Sequence, residues 1–415
     1  MGITINFSLE PKRKLFARSN WNLEKAAYLI KGLAEENGYH YSASHDPLII
    51  NICLEGSMWF RWKRRKFYGM SKTNIAGPGF HVAVIQFLEK LAERGDLKLR
   101  VLDRTGYYRK RDFLAMRQMS FYKWFKELMN MVSGWDGKKD YLFCWFPLLY
   151  IPENQKDKLI SYIRPYTLRE IRGLVNSGLT MAFAKDFFIW NEIEKDAYFY
   201  RNSGLALLNQ HCFFMPSARS NDDKYINDSV IEYLEKALKA NPKIPFPQKE
   251  YLEVCALAGH EPADISQTEV MPGDIEIGCR KHMVFRRLGN MIFGLPGHYL
   301  HEDNRTDVLD HYYDGADYGA HDYYVYAIAL EGRTAEFKDA WFQNGEHAEV
   351  HRFSLGKAEA KAVVYKPWEQ DGELLYGLSA QVIYGEQRMN INITCKKPGE
   401  EDWALGLIKN IRILE

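Results

Sequence analysis

The sequence predicts an α+β protein made of more than one part, and three observations support this. Apolar residues recur at helical spacing in some segments and alternate or run together in others, as in helices and strands. The 415 residues exceed the roughly 150 typical of one domain. Strand patterns gather towards both ends and helix patterns in the middle. We expect an N-terminal α/β domain at 1–155, a mostly helical region at 156–262 packed on it, a linker at 263–274 and an α+β domain at 275–415.

The N-terminal part is organised around residues 48–91. Residues 48–54 (LIINICL) form an apolar run typical of a strand, and residues 58–68 (MWFRWKRRKFY) place two aromatic arms around a basic tip, which predicts a hairpin. A Gly-Pro-Gly turn at 77–79 then leads into an amphipathic helix. Around this unit we predict strands at 3–7 and 97–102 and helices at 22–37 and 113–131.

The middle and C-terminal parts differ in pattern. We predict helices at 168–175, with Thr167 as N-cap, at 228–240 and at 248–257. Residues 259–273 are polar, contain two prolines and predict the linker. Strand patterns follow at 283–288, 323–330, 360–365, 374–384 and 389–394, and a helix at 401–410 closes the chain. An antiparallel sheet ending in a short Trp-bearing helix distantly resembles the end of PsbP-like domains, without any functional motif.

The composition limits the classes of function that the protein can have. The net charge of +1 argues against a protein that coats nucleic acid with its whole surface. The six cysteines form no CxxC pair, which favours a reducing compartment over a disulfide framework. No signal-peptide core and no apolar run of membrane-spanning length occur. We expect a cytoplasmic protein with no membrane partner.

The first candidate site is the turn before the predicted helix at 82–91. Backbone N–H groups at a helix N-terminus attract anions, so Gly77, Gly79 and His81 are candidate anion-binding residues. However, Pro78 removes one N–H donor, and the spacing matches neither GxxxxGK[ST] nor GxGxxG. The alternative is a tight connector, with Thr73 or Asn74 helping to cap the helix.

The second candidate is a His- and Asp-rich segment at 298–322. It holds four of the twelve histidines together with six aspartates, and these are ligands for divalent metals. The spacing is neither HExxH nor that of an EF-hand. If a metal binds, His301, Asp303, His311 and His321 are its expected ligands. The alternative is a solvated loop without metal.

The third candidate is an interaction surface rich in aromatic and basic residues. It combines the hairpin with a second cluster near 104–111, and its expected members are Trp59, Arg61, Trp62, Arg64, Arg65, Tyr107, Tyr108 and Arg109. Such residues are enriched in protein interfaces, and they also suit single-stranded nucleic acid. The alternative is a charged hairpin tip that protects a sheet edge, with its rings in the core.

No catalytic residue is predicted. GxSxG is absent, and Cys144 and Cys212 each lie among aromatic residues that keep a thiol unreactive. We therefore expect a non-enzymatic protein-binding protein, such as an immunity or inhibitor protein, without a cofactor. A metal-dependent hydrolase using a divalent ion at 298–322 is the alternative. Nucleic-acid binding through the basic and aromatic hairpin is the third hypothesis.

Overall fold

The computed structural model describes residues 2–12, 21–135, 142–143, 151–152, 158–271, 277–303, 310–315, 321–329, 336–342 and 346–413. Helices make up 38% and antiparallel sheets 32%, which confirms the α+β class. The helices are α1 Leu23–Glu36, α2 Pro78–Arg94, α3 Tyr107–Lys110, α4 Phe113–Met116, α5 Lys123–Ser133, α6 Leu168–Asn176, α7 Ala184–Phe187, α8 Ala197–Gln210, α9 Asn221–Ala240, α10 Gln248–Ala258 and α11 Glu401–Lys409. A π-helical stretch, Arg117–Tyr122, joins α4 to α5.

The strands fall into an N-terminal and a C-terminal set with short strands between. The first set is β1 Thr4–Pro11, β2 His40–Tyr41, β3 Leu48–Cys53, β4 Gly56–Lys63, β5 Lys66–Lys72 and β6 Leu97–Asp103. The short strands are β7 Leu142–Phe143, β8 Ile151–Pro152, β9 Lys158–Ile160, β10 Pro165–Thr167, β11 Pro245–Phe246 and β12 Glu269–Val270. The last set is β13 Met283–Leu288, β14 Met291–Pro296, β15 Leu300–Asp303, β16 Asp310–Tyr313, β17 His321–Ala329, β18 His347–Leu355, β19 Ala358–Tyr365, β20 Trp368–Gln370, β21 Glu373–Tyr384, β22 Gln387–Cys395 and β23 Arg412–Ile413.

The N-terminal sheet has the order β2-β3-β4-β5-β1-β6, and every pair in it is antiparallel. Side chains alternate between its two faces, as the period of a strand requires. One set, which includes Phe7, Ile50, Phe60 and Phe67, is buried in a core shared with the apolar sides of α1 and α2. The other set points away from that core.

The middle of the chain is helical and shares this first core. Helix α8 is buried almost throughout, and it lies so close to α9 that a Cβ on Gly204 would be 2.7 Å from Leu234 Cδ2. Residues 259–271, where the sequence predicts a linker, lie against these helices, because β12 pairs with β11 and Ile265 packs on the core.

The C-terminal part has its own core, whose buried members run from Val284 to Ile411. Its large antiparallel sheet has the order β15-β16-β17-β22-β21-β19-β18, with β20 paired to β21. Helix α11 buries Ala404, Leu405, Leu407 and Ile408 in this core. The predicted C-terminal sheet with a closing helix is thus confirmed.

Two arginines connect the helical middle to the C-terminal part. Buried Arg280 donates from Nε to Gln210 O (2.8 Å) and from Nη1 to Gly297 O (3.1 Å) and Tyr299 O (3.4 Å). Arg219 donates to His298 O (2.9 Å) and also pairs with Asp223. Both guanidinium groups therefore hold the 297–299 turn against the end of α8 and the start of α9.

Among the described residues, no helix is both long enough and apolar enough to cross a lipid bilayer.

Candidate functional site

The N-terminal sheet presents an exposed surface that we call the open face, made of the side chains of β1 and β3–β6 that point away from α1 and α2. One row crosses the strands through the pairs Ile49–Trp59, Trp59–Met70, Met70–Asn6 and Asn6–Leu102. Trp59, Met70 and Leu102 in this row are 44%, 46% and 59% exposed. Large apolar side chains thus stand in line on a solvent-facing sheet, which is typical of an interaction surface.

The next two rows of the open face are basic. Arg61 pairs with Tyr68, Tyr68 with Ser8, and Ser8 with Arg100, while Lys63 pairs with Lys66 and Glu10 with Lys98. The single carboxylate in these rows, Glu10, forms ion pairs with Lys66 and Arg100. Five cations against one anion leave this part of the open face positively charged.

The predicted interaction residues occupy three different places. Trp59 and Arg61 lie on the open face, whereas Trp62 points to the other side and packs on Trp21 (6.2 Å between ring centroids) and Phe67 (4.9 Å). Arg64 and Arg65 form the exposed hairpin tip with positive φ angles of 52° and 62°. The structure therefore brings only part of the predicted set onto one surface.

The second predicted cluster lies at the far end of the strands from the hairpin tip. Strand β6 begins beside the tip and ends at Asp103, just before α3, so its full length separates the two clusters. Tyr107 is buried, Tyr108 is half-buried, and Arg109 is exposed. The two basic clusters do not form one continuous stripe.

The Gly-Pro-Gly turn is covered by protein. Gly79 N–H donates to Trp190 O (3.0 Å), and Gly77 N–H donates to Thr73 O (2.9 Å). Helix α2 starts after Gly77 without a side-chain cap, so neither Thr73 nor Asn74 caps it. The geometry gives the two glycines a packing role, since these N–H groups already have backbone partners.

Gly79→Ala should destabilise the fold by about 1 to 3 kcal/mol through overpacking. A Cβ at Gly79 would lie 2.0 Å from Glu192 O and 2.2 Å from the Trp190 ring. Gly173→Ala on α6 is the matched control, because a Cβ there meets nothing within 4 Å. The control should gain about 0.5 to 1 kcal/mol from helix propensity. Urea unfolding measures both, and a Gly79→Ala protein as stable as the control would contradict the packing role.

His81 lies in a buried hydrogen-bond network that we call the His81 network. Its Nδ1 is 2.9 Å from Thr73 Oγ1, and its Nε2 is 3.3 Å from both Asp103 Oδ1 and Thr105 Oγ1. Asp103 also accepts from Thr105 N (2.8 Å) and Tyr108 N (2.9 Å). These hydrogen bonds hold the pKa of Asp103 well below its usual range despite burial, which raises it. Both nitrogens of His81 face protein groups, so its imidazole stabilises the fold around α2.

The His- and Asp-rich segment forms antiparallel strands where the structure describes it. His301 Nε2 lies 3.0 Å from Asp310 Oδ1 and 3.2 Å from Arg286 Nη1, and His311 Nδ1 lies 3.2 Å from Glu302 Oε2. The side chains of Asp303 and His321 lie outside the described part. Among described residues, no three His, Cys, Asp or Glu side chains are placed to hold a metal ion. A cation such as Arg286 beside His301 disfavours a second cation there.

The described cysteines are free, and Cys144 lies outside the described residues. Burial raises the pKa of the Cys212 thiol to about 12, which keeps it protonated and unreactive.

A cleft of about 950 Å³ adjoins the open face, with the ends of β3–β5 on one side and α8 and α9 on the other. Trp59 and Met70 line it as well as the open face. Asn74, 4% exposed, lies in its lining, and its Oδ1 has no hydrogen-bond partner in the described structure. Such a cavity, with a few polar groups among aromatic side chains, is typical of a ligand site.

Several ionisable side chains in this cleft have displaced pKa values. Burial raises the pKa of Glu55 to about 7, although a hydrogen bond from Tyr162 opposes the rise. Burial lowers the pKa of His211 to about 4, with help from the charge of Arg280, and raises that of Tyr233 to about 12. Displaced pKa values that converge in a cleft point to a functional site. The sequence identified none of these three residues, because they come from three separate segments.

Comparisons with known proteins give no functional lead. No protein-family model and no curated protein match the chain. A crystal structure from Bacteroides thetaiotaomicron at 1.50 Å resolution matches with 13% identity and a TM-score of 0.24, over 30% of this chain and 46% of that one. A Pseudomonas aeruginosa protein of unknown function matches with 16% identity and a TM-score of 0.21, over 31% of this chain and 95% of that one. This chain thus covers less than half of the Bacteroides chain.

Proposed function

We propose that this protein binds an acidic protein partner through the open face of its N-terminal sheet. The observation that carries the proposal is the apolar row of Ile49, Trp59, Met70 and Leu102 beside two rows with five cations and one carboxylate. Apolar anchors with adjacent charge of one sign favour a partner of the opposite sign. We propose a binding role for this protein and no catalytic role.

Two features favour a protein partner over nucleic acid. The exposed row contains aliphatic side chains, Met70 and Leu102, which cannot stack on bases as rings do. The hairpin tip and the 104–111 cluster lie at opposite ends of the sheet, and Tyr107 is buried, so no continuous basic track with stacking rings joins them.

A protein that binds an acidic partner in this way could act as an immunity or inhibitor protein. The identity of the partner would show whether it does. The free cysteines of the described chain suit a reducing compartment, so we place the complex in the cytoplasm.

Trp59→Ala should lower the affinity for this partner about 30-fold, which corresponds to about 2 kcal/mol for a central aromatic anchor. Arg61→Glu should weaken binding as well, because it reverses a charge in the basic rows. Tyr28→Ala on α1 is the control, since Tyr28 is 82% exposed on the opposite side of the sheet. The measurement is quantitative affinity capture from lysate of the source organism, with and without nuclease treatment.

The expected result is one acidic protein, recovered in stoichiometric amount by wild type and by Tyr28→Ala and depleted by both open-face variants. If wild type instead recovers nucleic acid, or if both open-face variants retain every bound protein, the proposal is wrong.

A further inference from the structure

We infer that the acidic partner supplies an extended segment that pairs with β6 as an added strand of the N-terminal sheet. The inference rests on the proposed function, because the partner is the same. Strand β6 lies at the end of this sheet and pairs only with β1 among the described strands. The free edge of such a strand presents N–H and C=O groups that can pair with another chain.

The register shows which backbone groups of β6 point away from β1. Lys12 N–H donates to Asp96 O (3.2 Å), which continues the ladder between β1 and β6 by one pair. Hydrogen-bonded pairs recur at every second position of an antiparallel ladder. The bonded pairs are therefore Glu10–Lys98, Ser8–Arg100 and Asn6–Leu102. The N–H and C=O groups of Leu99 and Val101 thus point to the free edge.

Strand β6 lacks most of the features that block pairing at a sheet edge. Its seven residues contain no proline, and all of them pair with β1 in unbroken register. The strand at the other end of the sheet, β2, has only two residues. Natural edge strands avoid pairing by being short, by proline, by bulges or by charge. Only charge remains on β6, so the sign of that charge decides which strand can pair with it.

The charges on β6 favour an acidic strand. Lys98 and Arg100 are exposed on the open face, and the Arg100 side chain is 67% exposed. Carboxylates at the facing positions of an added strand would form cross-strand pairs with both cations. In contrast, an antiparallel second copy of β6 centred on Arg100 would place cation against cation, which is destabilising. The edge therefore disfavours self-pairing and favours a partner that carries acidic residues.

The inner side of β6 adds an apolar requirement. Leu99 and Val101 lie at the border of the first core and are only half-buried, whereas their partners on β1, Leu9 and Phe7, are 0% and 5% exposed. Apolar side chains at alternate positions of an added strand would cover this border and remove apolar surface from water. The expected partner segment therefore alternates acidic and apolar residues.

A peptide as long as β6 that alternates glutamate and valine is the probe. Its complex with the full chain is followed by amide hydrogen exchange in NMR spectra. With the peptide at about ten times its dissociation constant, the amides of Leu99 and Val101 should exchange about tenfold more slowly, because about nine in ten molecules are bound. The amides of Arg100 and Leu102 already bond to β1 and should keep their rates.

A second peptide with proline at its centre is the control, because proline cannot continue the ladder, and it should protect neither amide. The inference is wrong if the first peptide fails to bind or binds without protecting Leu99 and Val101. It is also wrong if wild type alone dimerises in sedimentation equilibrium with both amides already protected, since the edge would then pair with a second copy.

A charge exchange tests the selection of an acidic strand. Lys98→Glu combined with Arg100→Glu should weaken binding of the glutamate peptide about tenfold. The same double variant should bind a peptide that alternates lysine and valine, which also shows that the variant is folded. The matched control, Lys25→Glu combined with Lys90→Glu, reverses two exposed lysines on α1 and α2 and should bind as wild type does. Equal binding of both peptides by wild type would contradict the selection.

The peptide experiment needs no natural partner, so its outcome is separate from that of the capture experiment. If the edge amides stay unprotected while capture of the acidic protein still depends on Trp59, the partner binds the open face without adding a strand, and the inference alone is wrong. If the peptide protects the edge amides but capture is independent of Trp59 and Arg61, the proposed function alone is wrong.

Discussion

Asp103→Ala should destabilise the protein by about 3 to 5 kcal/mol, because it removes a buried carboxylate that accepts several hydrogen bonds, each worth about 1 kcal/mol or more. The Asp103 side chain is 1% exposed and accepts from Thr105 Oγ1 (2.7 Å) as well as from two backbone N–H groups. Its loss leaves these three donors without this acceptor and removes one partner of His81 Nε2. Urea unfolding should show the change as a lower midpoint with an unaltered slope.

Asp112→Ala provides the matched control for this substitution. Asp112 is exposed and caps α4 through its bond to Ala115 N (2.9 Å), so its removal should cost about 1 kcal/mol. Similar losses in the two variants would show that the His81 network contributes no more than a surface cap.

Stability should also depend on pH through Asp103. Its pKa is lowered in the folded protein, so the folded state favours the carboxylate. The resulting stability is complete above the unfolded pKa near 3.9 and is lost as pH falls through the lower folded value. Asp103→Asn should lack this loss between about pH 4 and more acidic conditions. An acid-unfolding profile identical to wild type would contradict the assignment.

Arg280→Ala should cost about 4 to 5 kcal/mol and separate the unfolding of the two cores. The variant loses three hydrogen bonds from a charged donor, each worth about 1.5 kcal/mol or more, and leaves three carbonyl groups without that donor. It also loses the contact of the guanidinium carbon with the Phe213 ring (4.3 Å). Because Arg280 connects α8 to the 297–299 turn, the C-terminal core should unfold at a lower temperature than the first.

Differential scanning calorimetry tests this expectation directly. Wild type and the control Arg287→Ala, an exposed arginine on β13, should give the same profile within about 0.5 kcal/mol. Arg280→Ala should give two separate transitions, and the C-terminal core should account for the one at the lower temperature. A single transition at the wild-type temperature would show that Arg219 and the remaining contacts suffice to hold the two parts together.

Most N-terminal elements could be predicted because their apolar residues follow a clear period. The predicted helix at 22–37 is α1, and the predicted hairpin at 58–68 is β4 and β5. Helix α9 begins seven residues before the predicted start at 228, because Ser220 caps a polar first turn that carries no apolar period. The sequence predicts no separate helix at α8, because this helix is buried on nearly all sides and so lacks an amphipathic period.

The sequence does not predict strands β14 and β18, and each omission has a physical reason. Strand β18 carries mostly exposed residues at the edge of its sheet, so it has no buried face to produce alternation. Strand β14 is buried at almost every position, and a short continuous apolar run does not distinguish a strand from a helix. Both depend on neighbours that are distant in the chain.

The sequence likewise predicts one candidate site in part and misses another. Trp59 and Arg61 could be predicted because their unusual residue types stand out in one short hairpin. The cleft could not, because Glu55, Asn74, Tyr162 and Tyr233 meet only after the sheet and helices pack. In the sequence, Glu55 is one residue of the turn between β3 and β4, and its raised pKa arises from burial in the folded protein.

The alternation along β4 and β5 has an evolutionary consequence. Met58, Phe60 and Phe67 maintain the interior, while Trp59, Arg61 and Met70 next to them in the chain make no contribution to that interior. Natural selection can therefore change the outward residues one at a time without eroding the fold. Related chains under pressure from a changing binding target should diverge fastest at these outward positions.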